Sequence, residues 1–439
     1  MTTRRALAFL LALAVAAAPA ALASDPVPRA REILRLYLDG KFDEFREAGT
    51  PDVKSALRPG LADQMSAQIA AQIGAFRKEI GETHSAQGGL TSVTFTLDHE
   101  RGTLKLLVAV DAEGRMAGFF VAGLEPRTDG WKAPGYADAN AFAEESVVVG
   151  KDPWALPGTL ALPKKPGPFP AVVLVHGSGP NDADETILAN KPFKDLAWGL
   201  ATRGIAVLRY EKRTKAHGAK MTGTVTLDEE TIDDAVAAAA LLRARKEVDP
   251  ERVFVLGHSL GGTAAPFIAK KDGKLRGLVV LAGTPRPALD LVAEQMEHIA
   301  RADGTVSEEE KKGLEDWKKS AADLRAGKKE ALAANLLGAP GAYWLSFDTL
   351  DAAGAAKSLS LPMLFLQGGR DYQVTRACFE TWQRALSGMK NVTFREFADS
   401  NHLFMAGEGV STPDEYGKPG HVDGKVIDFV AEWIIASRG

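Results

Sequence analysis

A serine between glycines stands in the segment Gly257-His258-Ser259-Leu260-Gly261. The apolar run 253–256 precedes this segment and a helical stretch, 262–269, follows it, so the pattern predicts a sharp strand-to-helix turn. Such a turn presents a serine hydroxyl at the end of a strand, and glycines flank it because side chains there would clash. We interpret Ser259 as a nucleophile for acyl transfer, with the N–H of Leu260 donating to an oxyanion. The alternative is a chance match within a loop.

The acid that would support this chemistry is predicted to be Asp371, in Gly368-Gly369-Arg370-Asp371. It directly follows the apolar run 363–366, so we expect it at the carboxyl end of a strand, where ligands meet open α/β sheets. The alternative is a solvated aspartate in a turn. Asp399 is the nearest rival, but it follows a later strand, 392–394, and stands too close to the histidine that it would have to orient.

The base that takes the serine proton is predicted to be His402, which lies between the last strand and a final helix, 426–435. The chain order Ser259, Asp371, His402 is the order in which a fold with this serine turn supplies nucleophile, acid and base. Two alternatives are His402 as a surface-loop residue and His421 as the base.

A second oxyanion donor is predicted in His176-Gly177-Ser178-Gly179-Pro180, which follows the apolar run 171–175. We expect the N–H of Ser178 to donate, with Gly179 as the second choice. Gly179 and His258 are also expected to border the bound substrate. The alternative is a glycine-rich turn without this role.

Charged residues near these turns have two interpretations. The acidic group either binds a substrate amine or caps a helix and faces water. The basic group either binds a substrate carboxylate or forms structural ion pairs, and we favour the ion pairs. The acidic group is Asp182, Asp184 and Glu185, and the basic group is Arg209, Lys212 and Arg213.

The elements that must position these residues alternate between apolar strands and helices. Short, wholly apolar runs suit strands that are covered on both faces, as in a parallel sheet. A helix from Thr226, with a capping box to Glu229, has one apolar face and stops before Asp249-Pro250. The pattern predicts an α/β fold, with a mostly parallel sheet and helices on both faces. The apolar runs are 171–175, 205–210, 253–256, 278–281 and 363–366.

About eighty residues separate the runs that end at Leu281 and begin at Met363, far more than one crossover helix needs. A capping box at Ser307 and Glu310 indicates that this segment is helical. We interpret about 285–357 as an inserted helical cap, and the alternative is a surface excursion without a role in substrate choice. The candidate wall residues of the cap are Trp317, Tyr343 and Trp344.

The stretch 28–123 has a different spacing of apolar residues. Apolar residues first recur at helical spacing, in 33–42 and 65–76, and then alternate with polar ones in 93–97 and 104–110. Hairpin turns separate these strands and a third at 116–121, so we predict a small α+β domain. Prolines and glycines in 124–142 indicate a linker, which leaves the α/β domain at 143–439.

Residues 1–23 have the features of a cleaved signal peptide. Arg4 and Arg5 precede the apolar stretch 6–18, and Ala21-Leu22-Ala23 supplies the small residues that a signal peptidase reads. The stretch is short for a membrane span, so we expect cleavage after Ala23 and no stable membrane anchor. We expect a periplasmic or secreted protein, exported by the Sec route, with the twin-arginine route as the alternative.

Composition excludes several classes of function. The 439 residues carry a formal net charge of −4 without a long basic run, so no nucleic-acid partner is expected. The single cysteine, Cys378, cannot form an internal disulfide. The eight histidines are scattered, so we expect neither a metal nor a cofactor. The sequence does not define the oligomeric state.

From about residue 143 onward the chain resembles bacterial α/β-hydrolases of the serine esterase, serine-aminopeptidase-like and dienelactone-hydrolase-like group. The resemblance implies the triad and oxyanion roles given above. Dienelactone hydrolases proper use a cysteine nucleophile, whereas this chain has Ser259 at that position. The serine favours ester chemistry. The first domain resembles, more faintly, nuclear-transport-factor-two-like domains, and this resemblance carries no site residue. The motifs are Leu174-Val-His-Gly-Ser-Gly-Pro180, Leu208-Arg-Tyr-Glu-Lys-Arg213, Gly257-His-Ser-Leu-Gly-Gly262, Gly368-Gly-Arg-Asp371 and Asn401-His402.

Three functions follow in order of preference. The first is hydrolysis of small carboxylic esters through an acyl-enzyme, and the second is cleavage of short peptides or acyl amino acids by the same triad. The third is a non-catalytic binding protein on a hydrolase scaffold, which the intact set Ser259, Asp371 and His402 disfavours.

Overall fold

The computed structural model describes residues 26–57, 59–126, 131–221, 225–302 and 304–437. The predicted signal peptide, residues 1–23, lies outside the described residues.

The general order of elements agrees with the prediction, helices and a meander first and alternating strands and helices afterwards, but the first stretch has four helices where two helical segments were predicted. The helices are α1 (Pro26–Leu38), α2 (Phe42–Glu47), α3 (Pro51–Ala56), α4 (Leu61–Ile73), α5 (Pro192–Thr202), α6 (Arg213–His217), α7 (Asp233–Arg243), α8 (Leu260–Asp272), α9 (Ala288–Ala300), α10 (Glu308–Arg325), α11 (Lys329–Ala333), α12 (Gly341–Asp348), α13 (Ala352–Lys357), α14 (Arg376–Ala385) and α15 (Gly424–Ala436). The strands are β1 (Phe76–Gln87), β2 (Leu90–His99), β3 (Gly102–Val110), β4 (Met116–Pro126), β5 (Phe142–Val149), β6 (Leu156–Pro163), β7 (Phe169–Val175), β8 (Ala206–Tyr210), β9 (Val248–His258), β10 (Gly277–Leu281), β11 (Asn335–Leu336), β12 (Ala339–Pro340), β13 (Met363–Gly368) and β14 (Val392–Phe397).

The first unit is an antiparallel sheet in the order β1-β2-β3-β4, accompanied by α1 to α4. The predicted alternation is confirmed, because Val93, Phe95 and Leu97 on β2 are buried between more exposed neighbours. Leu104, Leu106 and Val108 on β3 are buried beside them, and all pack against apolar residues of the helices. This burial gives the small unit its own hydrophobic core.

Two helix boundaries of this unit differ from the prediction. The helical pattern 65–76 ends at Ile73, because Gly74 takes a φ of 79° and Phe76 begins β1 with 39% of its surface exposed. The pattern 33–42 is likewise divided at Gly40, whose φ is 70°. A glycine adopts such a φ without steric cost and thereby ends each helix.

The second unit is built on an eight-stranded sheet in the order β14-β13-β10-β9-β7-β8-β6-β5. The strands from β14 to β8 run parallel, and β6 and β5 are added in antiparallel pairings. Side chains of β7 point alternately into two cores: Val173 and Val175 pack with α7 and α8, whereas Val172 and Leu174 pack with α5 and α15. The predicted parallel sheet with two covered faces is therefore confirmed.

The crossover between β10 and β13 contains the helices α9 to α13. Both predicted capping boxes are present, since Ser307 and Glu310 bond reciprocally at the start of α10 and Thr226 and Glu229 do so before α7. Trp317, Leu324 and Leu289 form a core within the crossover itself. We call the segment α9 to α13 the cap.

The segment that follows the first unit, residues 131–136, packs on the second unit. Trp131 donates to the carboxylate of Asp195 on α5 at 2.9 Å, and Tyr136 donates to the carbonyl oxygen of Val422 at 2.8 Å. The limits of the predicted linker and domains stay predictions. Among the described residues, no helix is both long enough and apolar enough to cross a membrane.

Candidate active site

The serine turn has the predicted form. Ser259 lies between β9 and α8 with a φ of 53°, a conformation that is strained for a residue with a side chain. A Cβ on Gly261 would stand 2.1 Å from the carbonyl oxygen of Val175, and one on Gly257 would stand 2.1 Å from the carbonyl oxygen of Gly261. Only glycine fits at both positions, so the two glycines permit the close approach of strand and helix that exposes the serine.

His402 and Asp371 meet as a buried pair. Nδ1 of His402 lies 2.7 Å from Oδ2 of Asp371, and both side chains are nearly inaccessible to solvent. Oδ1 of Asp371 accepts the N–H groups of Gln373 and Val374 at 2.8 and 2.9 Å. The carboxylate is thus held on both oxygens, and its contact fixes the proton of His402 on Nδ1, which leaves Nε2 as the acceptor.

The two rivals lie elsewhere. Asp399 is exposed on the surface. The Nδ1 of His421 lies 3.1 Å from the carboxylate of Asp195, and the ring stands edge-on to Trp131. Neither residue contacts the pair of His402 and Asp371.

Glu415, on the 3₁₀ segment Pro413–Gly417, joins the loops that carry Asp371 and His402. Its carboxylate accepts from Arg370, the neighbour of Asp371, and from Asn401, the neighbour of His402, the latter at 3.0 Å. Burial alone would raise the pKa of Glu415, but these donors outweigh burial and lower it below its ordinary value. Sequence reasoning missed Glu415, because nothing in its local pattern distinguishes it from a solvated acid.

The glycine-rich turn after β7 lies beside Ser259. A Cβ on Gly177 would stand 3.2 Å from the Cβ of Ser259. The N–H of Gly177 donates to Oε1 of the buried Glu185 at 2.6 Å, whereas Ser178 and Gly179 are exposed. The N–H of Gly177 is therefore occupied, and the predicted donor roles of Ser178 and Gly179 stay predictions.

Glu185 also pairs with His258, the residue before the serine. Oε2 of Glu185 lies 2.9 Å from Nδ1 of His258 as an ion pair without in-line hydrogen-bond geometry, and Nε2 of His258 donates to the carbonyl oxygen of His402 at 3.0 Å. Both neighbouring oxygens are acceptors, so they stabilise the form of the ring that carries a proton on each nitrogen. Burial alone would lower the pKa of His258, but Glu185 outweighs burial and raises it.

His258 thus supports three parts of the site at once. It pairs with Glu185, which accepts the N–H of Gly177, and it directly precedes Ser259. It also binds the main chain of His402, and the ring centroids of the two histidines lie 4.7 Å apart. The structure places His258 beneath the site, and its predicted contact with substrate stays a prediction. The other turn histidine, His176, is neutral, because burial lowers its pKa to about 4.

The charged groups near the turn are paired within the chain. Asp184 bonds to Lys191 and Arg209, each at 2.8 Å, and Oδ1 of Asp182 accepts the N–H of Thr186 at 2.9 Å. Arg209 also binds Glu144, Lys212 binds Glu230, and Arg213 binds Asp234. The interpretation of the basic group as structural ion pairs is confirmed. Of the acids, Asp184 and Glu185 are ion-paired, whereas Asp182 only accepts hydrogen bonds.

The predicted wall residues belong to the cap. Trp317 is buried in the core of the cap and donates to the carbonyl oxygen of Leu289 at 3.0 Å, and Trp344 donates to that of Leu336 at 2.7 Å. Tyr343 is half-buried and donates to Glu230 of the second unit at 2.8 Å. Their contact with substrate stays a prediction.

No group of three or more His, Cys, Asp or Glu side chains that could hold a metal ion occurs within the described part of the chain.

Comparison with known proteins agrees with this architecture. The model of the alpha/beta hydrolase family matches residues 172–416, and the chain belongs to that family. It is 40% identical over 396 residues to esterase EstD of Thermotoga maritima, covering 90% of this chain and 92% of that protein. The chain is therefore an esterase-like α/β hydrolase, an enzyme of the carboxylesterase type. Residues 30–119 match a family described as a protein of unknown function, DUF3887.

Two solved structures are similar in fold. Est1E of Butyrivibrio proteoclasticus has 15% identity and a TM-score of 0.43, over 66% of this chain and 98% of that one. Dipeptidyl peptidase 4 of Porphyromonas gingivalis has 13% identity and a TM-score of 0.42, over 81% of this chain and 43% of that one.

The close approach at the serine turn predicts that Gly261→Ala destabilises the protein by about 3–5 kcal/mol or prevents folding, because the added carbon meets main-chain oxygen. Gly218→Ala is the matched control: an added carbon there meets nothing within 4 Å, so a change within about 0.5 kcal/mol is expected. Urea unfolding measures both. Equal stability of the two variants would contradict this account of the turn.

The pair of Glu185 and His258 predicts a pH-dependent stability. The raised pKa of His258 contributes stability below its ordinary 6.5 that is lost as pH rises through the raised value. The pKa of Glu185 is lowered despite burial, so its contribution is present above the ordinary 4.5 and lost as pH falls further. The pair therefore stabilises the fold most between pH 4.5 and 6.5.

Glu185→Gln should cost roughly 3 kcal/mol near pH 5.5 and clearly less near pH 8.5. Unfolding free energies of the wild type and the variant at the two pH values measure the difference. Glu297→Gln, which alters an exposed pair with Arg301, should change stability little at either pH. An equal cost of Glu185→Gln at both pH values would rule out a charged pair.

Proposed function

We propose that the enzyme hydrolyses carboxylic esters through a triad of Ser259, His402 and Asp371 and a covalent acyl-enzyme. The observation that carries this proposal is the 2.7 Å contact between Nδ1 of His402 and Oδ2 of Asp371, on loops beside a strained serine turn. The contact leaves Nε2 of His402 as a general base. The 40% identity to a named esterase supports the choice of substrate class.

In the first half of the reaction, Oγ of Ser259 attacks the ester carbonyl carbon while Nε2 of His402 takes the hydroxyl proton. The negative oxygen then formed is stabilised by N–H donors, and Asp371 stabilises the imidazolium. When the tetrahedral intermediate collapses, the bond to the alcohol oxygen breaks and His402 returns the proton to it. Water, deprotonated by His402, then attacks the acyl-enzyme, and the carboxylic acid leaves with Ser259 restored.

The oxyanion donors are the N–H groups of Leu260 and Ser178. Leu260 is the first residue of α8, where backbone N–H groups and the helix dipole favour negative charge. Ser178 is supported as the second donor because the N–H of the preceding Gly177 is already bound by Glu185. Gly179 is the alternative donor from the same turn.

Esters are favoured over short peptides by the pairing of the acidic residues near the turn. A peptidase that holds a free amino terminus needs a carboxylate available to the substrate. Asp184 is bonded to Lys191 and Arg209, and Glu185 to Gly177 and His258. Neither acid is available for that role without breaking its ion pair.

Hydrolysis of p-nitrophenyl esters from acetate to palmitate tests the proposal on the mature chain that begins at Ser24. The wild type should turn over at least one chain length, and Ser259→Ala should lose about a thousandfold or more. Asp371→Asn should lose about 10²- to 10⁴-fold, because His402 then lacks its tautomer control. Asp399→Asn, an exposed loop acid, should stay within about twofold.

Full activity of Ser259→Ala would refute the triad. Hydrolysis of aminoacyl amides by a wild type that leaves all esters intact would establish the peptidase instead. A wild type that never reacts with a fluorophosphonate would revive a non-catalytic role.

We also propose export to the periplasm or medium with cleavage after Ala23. The full chain expressed in a Gram-negative bacterium should appear in the periplasm or medium with Ser24 as its first residue. A variant with Arg4→Lys and Arg5→Lys should be exported equally well, because the Sec route requires only positive charge there. Export that stops in this variant would indicate the twin-arginine route, and an uncleaved cytoplasmic chain would overturn the proposal.

A further inference from the structure

A buried lysine outside the proposed triad lies directly behind the oxyanion turn. The side chain of Lys212 is 2% exposed, and its Nζ donates to the carbonyl oxygen of Gly177 at 2.8 Å. The same Nζ lies 2.7 Å from Oε1 of Glu230, which is itself 4% exposed. A cation buried this fully is costly unless it is paired, so Glu230 stabilises Lys212 in its place.

The contact with Gly177 sets the direction of the next N–H. The carbonyl of Gly177 and the N–H of Ser178 belong to one planar trans peptide group and point in opposite directions. Lys212 holds the carbonyl side of this peptide in the protein interior. The N–H of Ser178 is thereby turned away from Lys212. Ser178 itself is exposed, and a Cβ on the neighbouring Gly177 would stand 3.2 Å from the Cβ of Ser259.

A second set of contacts confirms that this turn is held through its carbonyl groups. The side-chain amide of Asn181 donates to the carbonyl oxygens of Gly177 and Ser178 at 3.2 and 3.1 Å. The N–H of Lys212 donates to the carbonyl oxygen of Asn181 at 3.1 Å. Lys212 therefore contacts the turn through both its main chain and its side chain.

The cap reaches the same ion pair. The hydroxyl of Tyr343, on α12, donates to Oε2 of Glu230 at 2.8 Å. Burial and the neighbouring carboxylate raise the pKa of Tyr343, so the hydroxyl keeps its proton. An unbroken series of contacts thus runs from Tyr343 through Glu230 and Lys212 to Gly177.

We propose that Lys212 is a positioning residue that aims the Ser178 N–H at the oxyanion, and that Tyr343 couples the position of the cap to this aim through Glu230. The proposal rests on the proposed ester hydrolysis and adds a link between the cap and the rate of chemistry. A cap that shifts away removes a hydrogen bond from Glu230, which loosens the pairing that holds Lys212 against Gly177.

The test separates binding from chemistry. The double variant Lys212→Met with Glu230→Gln removes both charges together and leaves no unpaired buried ion. Its kcat on the best p-nitrophenyl ester should fall about 10²-fold while KM stays within about threefold, as for loss of one oxyanion donor. A trifluoromethyl ketone, which forms a tetrahedral adduct with an oxyanion, should bind weaker by the same factor as the loss of kcat/KM.

Tyr343→Phe should lower kcat by about three- to tenfold, the range for loss of one ordinary hydrogen bond, again without a matching rise in KM. Two matched controls remove comparable contacts elsewhere. Arg213→Met with Asp234→Asn removes a neighbouring buried ion pair that does not touch the turn, and Tyr136→Phe removes a tyrosine hydrogen bond to Val422. Both controls should keep kcat within about twofold.

Folding of each variant is checked by thermal unfolding. If the double variant does not fold, Lys212→Arg tests the same contact, since it keeps the charge beside Glu230 but displaces the donor from Gly177. Folded variants at Lys212 that keep kcat and ketone affinity within twofold would overturn the role of Lys212. A Tyr343→Phe variant that changes only KM would overturn the coupling to the cap. A wild type that neither cleaves esters nor binds the ketone would instead refute the proposed function.

Discussion

The main chain of Gly177 is held from both sides by buried ion pairs, and the rest of the site is arranged around it. Glu185 of the pair Glu185–His258 accepts its N–H, and Lys212 of the pair Lys212–Glu230 donates to its carbonyl. Burying four charges is costly, and an apolar core of equal volume is often as stable. Apolar side chains cannot fix the orientation of a peptide group, however, and an oxyanion site depends on that orientation. These four charges therefore contribute more to the orientation of the Gly177 peptide groups than to the free energy of folding.

The serine turn depends on the same region through sterics. Gly261 packs against the end of β7, the strand from which the glycine-rich turn begins, at a distance that excludes any side chain. Ser259 and the glycine-rich turn are thus in direct contact, and His258 joins both to the main chain of His402. A displacement of one of these loops is transmitted to the other two because the interior between them is close-packed.

Sequence pattern predicted what depends on local periodicity and chain order. The serine turn, the parallel sheet and the approach of His402 to Asp371 followed from apolar runs and the order of the loops. Strand β1 was missed because it is a charged edge strand without a buried side to read. A structural ion pair of Lys212 was predicted, but its partner, Glu230, was not. The two residues belong to separate elements, and only the packing of α7 and its preceding turn brings them together.

Asp371 and His402 are positioned by further contacts besides the hydrogen bond between them. Glu415 binds Arg370 and Asn401, which precede Asp371 and His402 by one residue each, so the two loops are joined outside the site as well as within it. Oδ1 of Asn401 further accepts the N–H groups of Leu403 and Met405 at 3.0 and 3.2 Å. If His402 is the base of the proposed mechanism, its position is set by these contacts of the free protein. The proposed mechanism then needs no separate ordering of these two loops, because folding already orders them.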